Sequence, residues 1–475
     1  MKKNCLVLIC LSILLFVHGI YGQEILSLDQ CVEIALKNNS QLKNAERSTN
    51  IAKAGVTSSY SGILPQVDAS VTAGRYHQAD VENLRDIPVE YAIDTLFAPV
   101  LDPAKETLIG WGVSPKIGAP TRYEQRLIVQ QELERDSYRF SFDVNQNVFD
   151  GGRWWNAIRQ AKAEHRAAIH SQESMRQFII RTASEAYYNL LKQLNLKKVY
   201  AEALRSAEEQ YKRTESMYEI GSVAQADVFK AKVSVGEAQS NLIYQNNTII
   251  GAEYELNFVM GREPKTPIQI VEPDVTVEPF ELDDSEIEQA INKNPELKQL
   301  EEKMKSSEYA LKIAKGVFWP VLGVGGSYSR WNPEAKRVYT GFDKNYYWQI
   351  GASVQLNLFN GFRDKANWQT RQMENFIAKE NLAEQKRQLK SDVTNAHLRL
   401  EAFKEITEIN QENLKSAEED LRMAQERYRV GAGTLLDVLD AQVSVTTARG
   451  TLVRAKYDAM SAKADLEYYM GIIEK

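Results

Sequence analysis

The chain has 475 residues, with 58 lysines and arginines against 64 aspartates and glutamates and a formal net charge of −6. That acidic balance gives no support to a nucleic-acid partner. With only three cysteines, the chain is not a disulfide-built scaffold.

Residues 1–22 read as a signal peptide. Lys2 and Lys3 make a positive start, Leu6 to Val17 is an apolar stretch too short to span a bilayer, and Gly22 is the small residue before cleavage at Gln23. A lipoprotein signal through Cys5 or Cys10 fits less well, because neither cysteine follows small residues. The mature chain is therefore expected to be exported. It keeps Cys31 alone, so no intrachain disulfide can form, and the place of Cys31 beside Val32 and Ala35 suits a buried core residue. No apolar run of about 18 residues remains, so no membrane-spanning helix is predicted.

In chain order the pattern predicts a helix over 23–62 and a β-hairpin with a long loop over 63–152. A helical hairpin over 153–261 and a connector over 262–282 follow. A helix over 283–318, a second β-hairpin over 319–362 and a second helical hairpin over 363–475 complete the chain. The halves repeat. Ala35 to Leu42 resembles Ala290 to Leu297, Leu64-Pro65 resembles Trp319-Pro320, and Phe149-Asp-Gly-Gly-Arg153 resembles Phe359-Asn-Gly-Phe-Arg363. Tyr218-x-x-Gly221 resembles Tyr428-x-x-Gly431, and Met260-Gly261 resembles Met470-Gly471. The offsets differ by about 45 residues, an insertion that falls between Pro65 and Phe149.

The strands alternate. Tyr138, Phe140, Phe142, Val144 and Val148 occupy every second position, broken by Gln146, and Trp348, Ile350, Ala352, Val354, Leu356 and Leu358 repeat the pattern. Weaker alternation runs through Val67, Ala69, Val71 and Ala73 and through Leu322, Val324 and Tyr328. Strands of about 10 residues with one apolar face can cross a bilayer at barrel tilt. A half-buried sheet in a soluble protein has the same alternation. The segment from His77 to Ser137 carries Pro88, Pro99, Pro103, Pro115 and Pro120 and reads as a long loop.

The helices are long. Arg153 to Met217 contains neither proline nor glycine, and Leu389, Val393, Ala396, Leu400 and Phe403 step by four and three, as do Leu414, Ala417, Leu421 and Ala424. Roughly 65 helical residues span about 100 Å. The return and leading helices, about 37 and 35 residues, would match one long helix if stacked end to end.

Four strands cannot close a barrel, and open edges are not tolerated in lipid. If the strands are in a membrane, copies of the chain must share a barrel. This argument does not fix the number of copies.

The run Leu28 to Asn39, the Leu-Pro before the first strand, the Phe-(Asp/Asn)-Gly-x-Arg junctions and Tyr428 to Ala441 resemble TolC-like outer-membrane efflux factors. The resemblance covers nearly the whole mature chain. It implies a mainly α protein with transmembrane β, built from a tandem-duplicated chain. Four β-strands per protomer would contribute to a 12-stranded trimeric barrel in the outer membrane, beside a long periplasmic α-helical coiled-coil barrel. The implied partners are a homotrimer, a periplasmic adaptor protein, an inner-membrane transporter and outer-membrane lipid. The implied role is a passive exit duct for efflux or type I secretion.

Gly221 and Gly431 sit in turns that need a left-handed residue. The resemblance carries adaptor contact onto Gly221, Gly431, Gly433 and Thr434, and the narrowest point of the tunnel onto Asp437 and Asp440. A ring of carboxylates favours cations, and crowding raises some of their pKa values. Thr434-x-x-Asp437 also fits a capping box, which accounts for Asp437 without any pore. Asp440 has no such account, and its counterpart in the first copy is Lys230. Lys230 is a candidate to pair with Asp440 of a neighbouring hairpin and hold the tip shut. His77, His165, His170 and His397 lack zinc spacing, and no nucleotide or hydrolase motif occurs, so neither a metal nor a cofactor is expected and the chain does not read as an enzyme. The alternative is a soluble periplasmic coiled-coil adaptor or scaffold.

Overall fold

Residues that start and stop helices account for most of the layout. The computed structural model describes residues 25–101, 108–130, 132–272, 283–340 and 343–472. The signal peptide and the later part of the connector lie outside the described residues. The chain divides into a helical unit (1–60, 151–319 and 357–475) and a strand unit (61–150 and 320–356).

In the helical unit α1 (Leu28–Asn38) opens on a capping box: Ser27 Oγ accepts from Gln30 N, and the Gln30 side chain accepts from Ser27 N. The single helix predicted over 23–62 is in fact α1 and α2 (Ser40–Ser59), parted at Asn39. Asn39 takes an extended backbone and its side chain accepts from Gln41 N, the arrangement of an N-cap, which asparagine favours over a helix interior. The long α3 (Arg153–Glu219) and its return α4 (Gln225–Val259) follow. The second copy repeats the pattern with α5 (Asp284–Lys293) and α6 (Pro295–Gly316), parted at Asn294. Here Pro295 starts the second helix, where its missing N–H costs nothing.

Two junctions join short helices end to end. Asn39 Nδ2 donates to Val259 O, the last residue of α4, at 3.2 Å. Asn294 Nδ2 donates to Tyr469 O at 3.0 Å, in the last turn of the final return helix. Each asparagine thus caps one helix start and satisfies a carbonyl at another helix's end. Gly261 and Gly471, both at φ +68, press on these junctions: a Cβ on Gly261 would stand 3.0 Å from the Asn38 carbonyl carbon, and one on Gly471 would stand 3.0 Å from Asn294 Cα. The stacking of short helices expected from their lengths is present, and α2 and α4 both pack along α3.

The buried core of this unit gathers Cys31, Val32 and Ala35 of α1 against Ile179, Ala183, Tyr187 and Leu190 of α3 and Leu256 of α4. Cys31 is a free, fully buried thiol, and burial, opposed by Arg262, pushes its pKa up to about 12. Beside this core β1 (Ile25–Leu26) pairs in parallel with β6 (Gln269–Ile270) of the connector. The Tyr187 hydroxyl donates to the carbonyls of Leu26 and Val271. Tyr457 donates to Glu272 at 2.6 Å, with Lys198 and Lys456 at 3.5 and 3.6 Å from the same carboxylate. The connector is therefore fastened to both copies of the helical hairpin.

The strand unit is built on an antiparallel sheet of order β2 (Gln66–Gln78), β5 (Leu133–Phe149), β7 (Val321–Asn332) and β8 (Tyr346–Gln355). Its register puts Val67, Val144, Gly326 and Ile350 in one row and Ala69, Phe142, Tyr328 and Trp348 in the next. The intervening rows are polar: Gln66, Asn145, Gly325 and Gly351, then Asp68, Asp143, Ser327 and Gln349. One face is thus apolar and the other polar, the alternation read from the sequence. Gln146, which interrupts the apolar face, donates its carboxamide to Ile63 O and Asn147 O beside a register shift, so it closes the strand end. β8 stops at Gln355, short of the predicted Leu358. A short α7 (Ala335–Val338) links β7 to β8, and Arg330 Nη2 donates to Arg337 O at 2.8 Å.

The loop expected from His77 to Ser137 is largely strand. β3 (Val81–Leu101) and β4 (Leu108–Gln130) pair as a two-stranded ribbon continuing β2 and β5. Pro103 lies outside the described residues, while Pro88, Pro99, Pro115 and Pro120 stand within the paired strands; each strand of a two-stranded ribbon has one unpaired edge, where a missing N–H breaks no pairing. Register shifts cluster between Pro88 and Ile93.

Candidate functional site

Two tight turns reverse the helical hairpins. The first links α3 to α4, and the second links α8 (Arg363–Arg429) to α9 (Leu435–Met470). At the first, Gly221 N donates to Tyr218 O and Ser222 N to Met217 O, both at 2.8 Å. At the second, Gly431 N donates to Tyr428 O at 3.1 Å and Ala432 N to Arg427 O at 2.8 Å. This paired bonding closes a helix on a left-handed residue, and Gly221 and Gly431 lie at φ +75 and +74. Gly433 has a different role. Its φ is not left-handed, but a Cβ there would come 3.1 Å from Arg427 Cβ and 3.3 Å from Tyr428 N, so it lets the returning chain pass the end of α8.

A small core holds the two turns together. Ala231 of α4 packs with Ala424 and Tyr428 of α8 and with Leu435, Val438 and Ala441 of α9. This cluster fixes which faces of α9 point outward. Val438 is fully buried, whereas Asp437 and Asp440 on either side are exposed. The Tyr428 hydroxyl is buried without a hydrogen-bond partner among the described residues. The sequence marked Tyr428 only as part of the repeated turn and gave its side chain no role. Its place at the last turn of a long helix, repeated by Tyr218, was the available signal.

The capping reading of Asp437 holds. Asp437 N donates to Thr434 Oγ1 at 3.2 Å, and Asp437 Oδ2 accepts from Thr434 N at 2.8 Å and from Thr434 Oγ1 at 2.9 Å. The bond from Thr434 N, then that from its hydroxyl, holds the Asp437 carboxyl below its ordinary pKa, with Arg427 adding to the effect. Within one chain this is opposite to the upward shift expected for crowded carboxylates. Asp440, one turn on, makes no side-chain hydrogen bond or ion pair among the described residues, and its backbone carbonyl accepts from Ser444 Oγ at 2.9 Å. Lys230 does not meet Asp440 within the chain. Its ammonium lies 3.4 Å from Asp227 Oδ1, three residues back on its own helix.

Among the described residues the arrangement presents an unpaired carboxylate at the second tip and an internally paired one at the first. In the strand unit Asp68 and Asp143 stand directly opposite each other on the polar face, an unfavourable like-charge pairing. An aspartate in a polar slot of each strand of one hairpin was legible in the sequence but was not singled out. Among the described residues no group of His, Cys, Asp and Glu side chains could hold a metal ion, and no helix is long and apolar enough to cross a membrane.

Comparison with known proteins gives one consistent picture. The family described as outer membrane efflux protein matches residues 114–262 and 287–472. The toluene efflux pump outer membrane protein TtgC of Pseudomonas putida is 20% identical over 331 residues, 67% of this chain and 66% of TtgC, so the match spans just under two thirds of that relative. Outer membrane protein TolC of Escherichia coli is 24% identical over 373 residues, 76% of this chain and 74% of TolC. The CmeC outer membrane channel of Campylobacter jejuni superposes with a TM-score of 0.75 at 18% identity, covering 94% of this chain and 87% of CmeC. The outer membrane protein VceC of Vibrio cholerae gives 0.74 at 16% identity, covering 94% and 96%.

Proposed function

Because the chain belongs to the outer membrane efflux protein family, we propose that it is the outer-membrane exit duct of a tripartite efflux or type I secretion system. It would act as a passive conduit with no catalytic activity of its own. The observation that carries this reading is the four-stranded sheet. Its order leaves β2 and β8 each with a free edge, and its apolar face is exposed at Val71, Ile350 and Val354. Such a sheet is stable in lipid only when its edges are paired and that face meets hydrocarbon. Three copies of four strands make a closed barrel whose polar rows line a water-filled bore. The soluble-adaptor alternative leaves the same apolar face in water.

In this assembly the hairpins extend into the periplasm, and the tips at Gly221 and at Gly431, Gly433 and Thr434 meet a periplasmic adaptor that couples the duct to an inner-membrane transporter. Asp440 of each copy lines the constriction, with Asp437 beside it. The pairing of Lys230 with Asp440 then lies between neighbouring copies, in exchange for Asp227. Replacing Asp437→Asn together with Asp440→Asn should weaken cation preference in a planar bilayer. Unchanged selectivity would sink the constriction assignment, and a protein that stays monomeric and water-soluble without detergent would sink the duct.

A further inference from the structure

Two carboxyl groups meet where the first copy of the repeat packs on the second: Glu185 of α3 and Asp465 of α9. One arginine serves both. Arg181 Nε, one turn back on α3, lies 3.1 Å from Glu185 Oε1 and 2.8 Å from Asp465 Oδ1. It carries a single N–H, which it donates to Glu185. Asp465 Oδ1 is left buried with no hydrogen-bond donor among the described residues. Arg399 of α8 donates to the other oxygen, Oδ2, at 3.3 Å. The Arg181 guanidinium is held in place over the rings of Tyr468 and Phe178, 5.1 and 5.9 Å from their centroids.

Ionised carboxylates only accept hydrogen bonds, so two in contact need one proton between them. We propose that Glu185 carries this proton and donates it to Asp465 Oδ1, so that a shared proton clamps α3 of the first copy to α9 of the second. The bond supplies the donor that Asp465 Oδ1 lacks. The surrounding charge agrees. Asp392 of α8 acts on Tyr469 and Glu296 of α6 on Tyr468, beside the pair, and Lys303 opposes Glu296 from its own helix. The acids therefore outnumber Arg181, Arg399 and Lys303. Burial, then the contact with Asp465, raises the pKa of Glu185, and Arg181 opposes the rise. The clamp lies within one chain and does not depend on the duct reading. A raised folded value gives stability that is fully present below the unfolded value, about 4.3 for glutamate, and is lost as pH rises through the folded value. The seam between the copies should therefore loosen as its surroundings become less acid.

The test compares the full-length protein with Glu185→Gln, whose amide can donate to Asp465 Oδ1 at any pH, and with Asp465→Asn, which removes the need for the proton. Hydrogen exchange is followed in the peptides around residues 185 and 465 and corrected for the intrinsic rate. In the unsubstituted protein the opening constant of the seam should rise by about tenfold per pH unit between the unfolded and folded values, the slope of one proton. Both variants should lack that slope and keep the protection of the acid form. The infrared carbonyl stretch of a protonated carboxyl should be present in the unsubstituted protein above the ordinary glutamate range and weaker in Glu185→Gln. Equal slopes in all three proteins, or an unchanged carboxyl band in Glu185→Gln, would overturn the shared proton. Should Glu185→Gln fail to fold, the slope in Asp465→Asn decides the matter alone.

Discussion

At the first hairpin tip α3 passes to α4 through Gly221, and at the second α8 passes to α9 through Gly431. Both long helices are 67 residues, and both close with the same pair of backbone hydrogen bonds. The side chains that follow have diverged. Ala224 starts α4 with no side-chain cap and Asp227 takes Lys230, whereas Thr434 caps α9 in a reciprocal box with Asp437, and the Asp440 carboxylate has no partner among the described residues. The duplication has kept the backbone of the turn and moved the charge. Shape at the tip is set by glycine and local hydrogen bonds, which tolerate exchange of the next helix's exposed residues. Electrostatics therefore vary independently of fold.

That separation can be tested by making one tip resemble the other. The largest effect is expected from Asp440→Lys, which gives the second tip the charge of the first. The cation preference measured from reversal potentials should collapse or invert, and an unchanged potential would show that the free carboxylate does not face the ion path. The converse change, Lys230→Glu, removes the partner of Asp227 and adds an acid. It should strengthen cation preference and raise the leak of bulky antibiotics into cells, and unaltered drug sensitivity would argue against a holding role for Lys230. Next come the shared features. Gly221→Ala and Gly431→Ala should each cost about 1–2 kcal/mol at the left-handed position, and near-equal losses of hydrogen-exchange protection would sharpen the comparison. Thr434→Ala should cost about 1 kcal/mol in the first turn of α9, while Ala224→Ser should gain a smaller amount in α4.

The smallest effect is in pH. Asp437 has a carboxyl pKa held below its ordinary value by Thr434, so its contribution is fully present above the unfolded aspartate value of about 3.9. It is lost as pH falls through the lower folded value. Exchange protection at the start of α9 should therefore fall on acidification below about pH 4, while the start of α4, without that box, should show no matching step. A parallel change at both helix starts would remove the cap as the cause.

Much of this was legible in the residues. The period-two faces of β2, β5, β7 and β8, the seam through Leu389, Val393, Ala396 and Leu400, and the two glycine turns follow from local rules, and these residues occupy the expected faces. The splits at Asn39 and Asn294 were not read, although Pro295 at the first position of a helix announces one of them. Hydrophobic periodicity runs through a break whose cap is supplied partly by a distant helix end. The ribbon was misread because proline marks loops, and its accommodation depends on which edge faces solvent, a property of pairing and not of local sequence. At the candidate site, Thr434 and Asp437 were readable as a capping box because the contact is three residues long. The pairing of Lys230 with Asp227 was equally local, and it was passed over in favour of the more distant Asp440.

The two asparagine junctions have a consequence for how the chain acquires its structure. The bond from Asn39 to Val259 closes over 220 residues, and that from Asn294 to Tyr469 over 175. Neither junction bond can form until its return helix has been made and folded back along its partner. Contacts of such sequence separation form slowly, because loop closure must precede any reward. The junctions are therefore among the last contacts of each half to close. A substitution such as Asn39→Ala removes a contact that closes late, so it would loosen the docked helix without slowing formation of the hairpin.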